Sequence, residues 1–446
     1  MSDKISIIHK SLKIRLYLDE NQKLLLNKTF GCCRLLYNER LSEHIEWYNQ
    51  NKDLPKDQRS KFKGKSPKQL REEKYEFLGG AIAEPLIQSQ RNCEQAFSNF
   101  FKSLTKQRKG KKVGFPKFKS KKQHKDSFSI YMLAPNCLDW EHRLITIPKL
   151  KQVKFRHAED KSGKWIGWFK EAIAKHMTIS KNACGEYWCS ILFERNQDIY
   201  STICSSKAIG LDFSPNSLYI NDLNKEAPNF RKVKQENYKK LTKLQRNLMK
   251  KQKDSKNREK ARIKLARFEN HIANIRQDYR EKETLRLVQT YDVIGIEDLN
   301  LQGMMKFSHN AKNYVDTSWY TFVTRLEWKA KFNNCLVIKS NRFYPSSKTC
   351  NQCCYVNKKL TLKDRVWICP KCGTKIIRDQ NAAQNLKENA LKILVDDLKS
   401  TLLLEQQEVM SMEDMEVEIC NSEIYGVSSE VESQNSDILK RSSLNL

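Results

Sequence analysis

Residues 5–18 end in near-alternating apolar and polar positions, Leu12-Lys13-Ile14-Arg15-Leu16-Tyr17-Leu18. A period of two sends alternate side chains to opposite faces, so the stretch predicts a strand. From Asn21 to about Tyr48 the spacing turns helical, through Leu24, Leu25, Phe30, Leu35, Leu36 and Leu41. A basic linker with Pro55, Gly64 and Pro67 follows. A second helical stretch, from about Gly80 to Leu104, has Ile87, Phe97, Phe100 and Phe101 on its apolar side. From Phe128 to Phe193 the pattern is strand-like again, in the runs 127–131, 144–147, 153–155, 177–179 and 187–192. With the first strand, these runs predict a small barrel or sheet with the helices inserted in it.

The character changes at Ala208. Residues 208–213 read as a buried strand and 217–220 as its hairpin partner. Residues 232–290 read as two helices with a break near 253–257, one striped by Leu241, Leu244 and Leu248 and the other by Ile263, Phe268, Ile272 and Ile275. Residues 291–299 form a second buried strand that ends in acids, and 336–338 a third. Between them, Trp319 to about Asn333 is helical. Asp379 opens a last helix, and no internal repeat is present.

Charge narrows the partner. Of 446 residues, 82 are Lys or Arg and 52 are Asp or Glu, a net of +30. Residues 401–446 hold ten acids and two bases, which leaves +38 on residues 1–400. Such an excess repels itself unless a polyanion neutralises it, and nucleic acid is the usual one. Residues 106–125 concentrate ten bases and no acid around Phe115-Pro116-Lys117-Phe118-Lys119, a mix suited to a phosphate backbone. Residues 232–290 hold 19 bases against seven acids. A mean hydropathy of −0.71 and the lack of a long apolar run exclude a membrane-spanning protein. The start, Met1-Ser2-Asp3-Lys4, leads into no apolar segment of a secretory signal. Fourteen cysteines in a chain of this length fit a reducing compartment better than a disulfide scaffold, with Cys32, Cys33, Cys93, Cys184 and Cys204 as small core residues.

Two constellations carry chemistry. Asp212 lies in an apolar strand, Glu297 ends another, and Asp379 opens a helix. Any one alone is more often a cap. Together they resemble the layout of an RNase H-type nuclease, whose separate acids hold two divalent ions roughly 3.5–4 Å apart. Hard carboxylate oxygens suit Mg²⁺. The second constellation is Cys350-x-x-Cys353 and Cys369-x-x-Cys372, separated by residues 354–368. That is zinc-ribbon spacing, and four thiolates make a closed structural site for one Zn²⁺. Gly373 allows a tight turn after the second pair, whereas Cys354 follows the first.

Several runs match a family. They are Phe115-Pro116-Lys117-Phe118-Lys119-Ser120-Lys121, Gly210-Leu211-Asp212-Phe213-Ser214, the basic stretch 255–262, and Ile296-Glu297-Asp298-Leu299-Asn300. The most specific are Tyr344-Pro345-Ser346-Ser347-Lys348-Thr349-Cys350 and Arg378-Asp379-Gln380-Asn381-Ala382-Ala383. Over about residues 1–390 the chain resembles TnpB (OrfB), the transposon-encoded RNA-guided DNA endonucleases related to type V CRISPR effectors. The resemblance implies an α+β multidomain chain. A wedge-type β-barrel (1–20 and 125–205) would carry an inserted helical recognition domain (21–124) with the basic loop. An RNase H-like (RuvC) α/β domain (206–346 and 374–392) would hold the basic hairpin 232–290 and an inserted zinc ribbon (347–373). An acidic, disordered tail (393–446) would follow.

The resemblance also implies Asp212, Glu297 and Asp379 as catalytic ligands of two Mg²⁺. A guide RNA from the transposon end and double-stranded target DNA would be the partners of a monomeric ribonucleoprotein in the bacterial cytoplasm, at the nucleoid. Base pairing would read the sequence, while the protein reads a short adjacent motif and backbone shape. Motif reading would fall to Gln88, Arg91 and the loop with Lys117, Lys119, Lys121 and Lys122. Lys256, Arg258, Arg262, Lys348 and Arg378 complete the expected nucleic-acid contacts. A repressor without cleavage and a transposase-type strand-transfer protein are the competing readings; three intact acids disfavour the first, and the ribbon between the second and third acids disfavours the second.

Overall fold

The computed structural model describes residues 5–400, apart from 56–57, 59, 109, 122–124, 135, 158–163, 199–206, 231–236, 308–313, 315–316, 362 and 398. Lys122, Cys204 and the acidic residues from 401 onward lie outside the described residues. The chain divides into two compact units, 1–200 with 235–278 and 201–234 with 279–446.

The first unit is built on an antiparallel seven-stranded sheet. Its strands are β1 (Ile5–Tyr17), β2 (Ser127–Ile130), β3 (Leu138–Asp139), β4 (Leu144–Ile147), β5 (Lys151–Arg156), β6 (Ile173–Lys181) and β7 (Tyr187–Asp198), in the order β2-β6-β7-β1-β5-β4-β3. Strand β1 pairs with β7 from Ile5↔Asp198 to Leu16↔Tyr187 and reaches β5 only at Arg15–Tyr17. Among the described pairings β2 and β3 remain edges, so hydrogen bonds do not close this sheet into a barrel.

Helix α1 (Glu20–Asn51) follows β1 at once, because Asp19 and Gln22 form a capping box. The Gln22 N–H donates to Asp19 at 2.7 Å, and the Asp19 N–H to the Gln22 side chain at 3.1 Å. Such a cap contributes about 1 kcal/mol. Helices α2 (Pro67–Glu73) and α3 (Ala83–Leu104) come next, and a short α4 (Lys164–Lys170) precedes β6.

The period-two face of β1, Leu12, Ile14 and Leu16, shares one core with Leu26, Phe30 and Leu36 of α1. Farther along, Tyr37, Leu41, Cys93 and Phe97 make a separate cluster between α1 and α3. The buried side of α3 runs through Leu86, Ser89, Gln90, Cys93 and Phe97. Ile87 and Phe101 are 44% and 48% exposed, contrary to the expected stripe. Ile87 lies one residue, about 100°, around the helix from Leu86.

Helices α5 (Tyr238–Met249) and α6 (Lys256–Thr290) form the expected helical pair. Arg258 Nη1 closes the turn between them, donating to the carbonyls of Leu248 at 3.2 Å and Lys251 at 2.8 Å.

The second unit holds β8 (Ala208–Ser214), β9 (Leu218–Asn221), β10 (Val293–Glu297) and β11 (Leu336–Ser340), in the order β11-β10-β8-β9. Strands β8, β10 and β11 are parallel, and β9 is the antiparallel hairpin partner of β8. Two further helices are α7 (Leu301–Phe307) and α8 (Trp319–Ala330). The last, α9, spans 378–397 and so extends past residue 392, into the segment assigned to the tail.

Alternation sorts the strand residues between two layers. Ile209, Leu211, Ile294 and Ile296 pack with Trp319, Phe322 and Leu326 of α8 and Leu287 of α6. On the opposite face Ala208 and Val293 pack with Ala390 and Leu394 of α9. A Cβ on Gly210 would stand 1.7 Å from the Ala383 carbonyl oxygen, and one on Gly295 2.3 Å from that of Leu386. The two glycines thus let α9 lie directly on β8 and β10. The hairpin β12 (Val366–Ile368) and β13 (Lys375–Ile377) completes the unit. No helix among the described residues is long and apolar enough to cross a membrane.

Candidate active site and metal centre

The same alternation gathers the acids. Residues 208, 210 and 212 of β8 face α9, as do 293, 295 and 297 of β10. The strands run parallel with Gly295↔Gly210 and Ile296↔Leu211 in register, so the next pair outward is Asp212 beside Glu297. Asp379 sits in the first turn of the helix on that face. All three line one cavity of about 370 Å³, together with Arg365 and Arg378.

Three carboxylates in one cavity repel. The Asp212 carboxyl is surrounded by protein, although part of the residue stays exposed at the cavity mouth. Burial raises its proton affinity well above the ordinary carboxylate range, and the charges of Glu297 and Asp379 raise it further. Arg378 and Arg365 oppose that shift. Burial also raises Glu297, against a hydrogen bond from Ser346 Oγ to Oε1 at 2.5 Å. Asp379 is clasped by cations. Arg365 Nη1 donates to Oδ2 at 2.9 Å, and Arg378 Nε and Nη2 donate to Oδ1 at 3.0 and 2.8 Å.

Among the described residues, only the cysteine group brings three or more potential metal-ligand atoms within 4.8 Å of one another. The carboxylates are not drawn together that tightly. A two-ion site does not require it. With metal–oxygen bonds near 2 Å and ions ~3.5–4 Å apart, ligand oxygens at its ends lie roughly 8 Å from each other. The donor set, all carboxylate with no imidazole or thiol, fits hard divalent ions.

The four cysteines make a second centre. Sulfurs of Cys350 and Cys372 lie 3.7 Å apart, and those of Cys353 and Cys369 3.5 Å. Thiolates ~2.3 Å from a tetrahedral zinc are separated by about 3.8 Å, so the cluster fits a zinc ribbon. Hydrogen bonding at Thr374 pulls the Cys372 thiol down to about 6, whereas burial raises Cys350 and hydrogen bonds among the thiols raise Cys353. The two knuckles are alike. The N–H of Gly373 donates to the Cys369 carbonyl, as that of Cys354 does to Cys350, each at 2.9 Å with positive φ. Cys354 therefore occupies a turn position that favours glycine, outside the four-sulfur group. Zinc is expected at one equivalent per chain and lost in Cys369→Ser; a metal assay on both proteins checks this.

The expected nucleic-acid contacts divide. Arg91, Lys117, Lys121 and Lys256 are exposed. Gln88 is half-buried and donates to Asn92 at 3.2 Å. Lys119 turns inward, its ammonium 3.6 Å from the Tyr37 ring centre. Arg258 is spent on the helix turn, Arg262 pairs with Glu259 at 2.6 Å, and Arg378 is committed to Asp379. Lys348 is half-buried in the loop before Cys350.

A further group of cations faces solvent. The outward face of α5 presents Lys239, Lys243, Arg246 and Lys250 along a groove of about 740 Å³, with no acid in that helix. None of the four has an ion pair among the described residues. Sequence reading missed this face, and also Arg365 and Ser346. Ser346 lies within a recognised run, whereas nothing in the spacing marks Arg365.

Comparison with known proteins identifies the family. Family models described as "Cas12f1-like, TNB domain", "Probable transposase" and "Helix-turn-helix domain" match residues 319–386, 194–308 and 6–53. The last covers β1 and α1, a strand and one long helix. A Streptomyces pristinaespiralis protein named "Putative RNA-guided DNA endonuclease" is 30% identical over 381 residues, 85% of this chain and 89% of the relative. An Escherichia coli K12 relative, "Putative RNA-guided DNA endonuclease InsQ", is 28% identical over 400 residues, 84% and 91% of the two chains. A cryo-EM structure of a Cas12f1–sgRNA–target DNA complex aligns over 85% of this chain and 99% of its own, at 13% identity and a TM-score of 0.47. With the first relative matched over nearly its whole length, this chain belongs to the TnpB (OrfB) family.

Proposed function

We propose that this protein is an RNA-guided DNA endonuclease. It binds a guide RNA from the transposon end, recognises a short motif beside the target, and cuts both strands of matched duplex in turn at one site. The observation that carries the reading is the shared sheet face. Strand alternation and register put Asp212 and Glu297 side by side, beneath the helix whose first turn holds Asp379. On this reading the seven-stranded sheet is the wedge-type element and α1–α3 the recognition domain. Strands β8–β11 with α9 are the RuvC-type domain, and 347–373 its zinc ribbon.

A phosphodiester is anionic and repels an attacking hydroxyl. Two Mg²⁺ held by Asp212, Glu297 and Asp379 would supply an activated water and offset charge on the reacting phosphate. The protein's part is placement. Asp212 feels the charges of both other acids and so can be shared by both ions. Arg378, 11% exposed, holds Asp379 from the protein side. Arg365 is 66% exposed and can exchange its carboxylate for a substrate phosphate, which it would bind bidentately. One water is consumed per cut. Its oxygen joins phosphorus as the P–O3′ bond breaks, and the 3′ oxygen leaves with a proton. Purified with its natural RNA, the protein is expected to cleave matched duplex with Mg²⁺ and not without it. Metal-independent cutting, or none under either condition, would sink the reading.

The α5 face supports an RNA contact through phosphates. Its cations have no ion pair among the described residues, and Thr242 and Asn247 between them can bond 2′-hydroxyls. Each neutralised phosphate contributes about 0.7 to the salt slope of single-strand affinity. Replacing Lys239, Lys243, Arg246 and Lys250 by alanine should therefore flatten a plot of log affinity against log salt by about 3. Arg258→Ala with Arg262→Ala should change it by less than about 1. The opposite ranking would reassign the contact.

A further inference from the structure

Two buried asparagines on α9 link the zinc ribbon to the carboxylate site. Asn381 and Asn385 are each 3% exposed, one turn apart, and neither faces the cavity. The side-chain amide of Asn385 donates to the carbonyls of Ser346 and Thr349, each at 2.7 Å. That of Asn381 donates to the Thr349 carbonyl at 2.7 Å, and its oxygen accepts the Asn351 N–H at 3.0 Å. The segment so held carries Cys350 at one end and Ser346 at the other. Ser346, 3% exposed, is the residue that donates to Glu297 Oε1.

We propose that Asn385, with Asn381, is a positioning residue that acts through Ser346 to fix the Glu297 carboxylate for ion binding. The inference rests on Glu297 being an ion ligand. A carboxylate at a strand end has free torsions. One short hydrogen bond to Oε1 fixes its plane and leaves Oε2, which has no hydrogen bond among the described residues, for an ion. Ser346 can do this only if its own backbone is held, and its carbonyl is held by Asn385. The helix that supplies Asp379 thus also sets the orientation of Glu297, through a loop that the zinc knuckle closes. Buried amides whose donors are satisfied hold such geometry rigidly.

The test measures Mn²⁺ binding to the full-length, nucleic-acid-free protein by electron paramagnetic resonance, with zinc content read alongside. Ser346→Ala and Asn385→Ala should each weaken Mn²⁺ binding by at least about tenfold and keep one zinc per chain. The double variant should be no weaker than either single one, because Asn385 acts through Ser346. Wild-type affinity in Ser346→Ala or in Asn385→Ala, or single effects that multiply to about a hundredfold in the double variant, would overturn the proposal. Failure of the nuclease reading looks different: no Mn²⁺ on the wild-type chain, or binding untouched by Asp212→Ala.

Discussion

Asp212→Ala is expected to leave guide RNA bound at wild-type affinity while cleavage of matched duplex falls on the order of a thousandfold. Asp212 is the acid on which the other two charges converge. Its loss removes the carboxylate that two ions would share, and with it several kcal/mol of transition-state stabilisation, about 1.4 kcal/mol for each tenfold in rate. RNA retention should not suffer, since the change deletes a negative charge from a protein that grips a polyanion. Single-turnover cleavage and a filter-binding titration on the same preparation separate the two effects. Robust cutting by the variant would remove Asp212 from the site.

The raised Asp212 pKa adds a pH signature. An ion must displace a proton that an ordinary carboxyl has already lost, so the Mg²⁺ concentration for half-maximal cutting should rise as pH falls. For the fold without added Mg²⁺ the sign is opposite. A carboxyl whose folded pKa lies above its unfolded value contributes stability at low pH and loses it as pH rises through the folded pKa. Melting temperature without Mg²⁺ should therefore fall with rising pH in that window, and Asp212→Asn should flatten the trend.

How much of this was legible depended on whether a residue's role was local. Strand period and helix spacing are local, and they located β1, α1 and the β8–β9 hairpin within a few residues. The acids and cysteines were legible because ligand chemistry restricts residue type and spacing. What each cation touches within the fold was not. Arg258, Arg262 and Arg378 look like phosphate contacts in a basic sequence, yet each guanidinium is engaged within the fold. Equally basic Lys239 and Lys243 have no ion pair among the described residues. Only the fold tells them apart, because a cation's availability is set by what lies across from it. The same holds for Ser346, one of two adjacent serines in its motif, and for Arg365, which meets Asp379 at the open end of the β12–β13 hairpin. Gly210 and Gly295 did carry a signal. A glycine inside a buried apolar strand marks a close backbone approach.

Gly210→Ala is expected to destabilise the protein by about 3 kcal/mol or more, against the usual direction for such a change. Adding a methyl to a strand glycine ordinarily stabilises by ~0.5–1 kcal/mol, because the unfolded chain loses freedom. Here the new Cβ would meet the Ala383 carbonyl oxygen at 1.7 Å, its carbon at 2.8 Å and the Lys387 amide nitrogen at 2.9 Å. All three are backbone atoms of α9, and none can swing aside as a side chain would. Either α9 lifts or β8 shifts. Asp379 rides on the first and Asp212 lies two residues along the second, so molecules that still fold should also cut slowly. A 1 Å misplacement of reacting groups is enough for a loss of ~10²-fold. Gly31→Ala supplies the control. It lies inside α1, and a Cβ there would meet nothing within 4 Å. Alanine should stabilise that helix by ~1 kcal/mol. Denaturant melts should move in opposite directions for the two variants. A Gly210→Ala protein as stable as wild type would mean that α9 does not lie against β8 as described, and the shared face on which the three acids meet would lose its support.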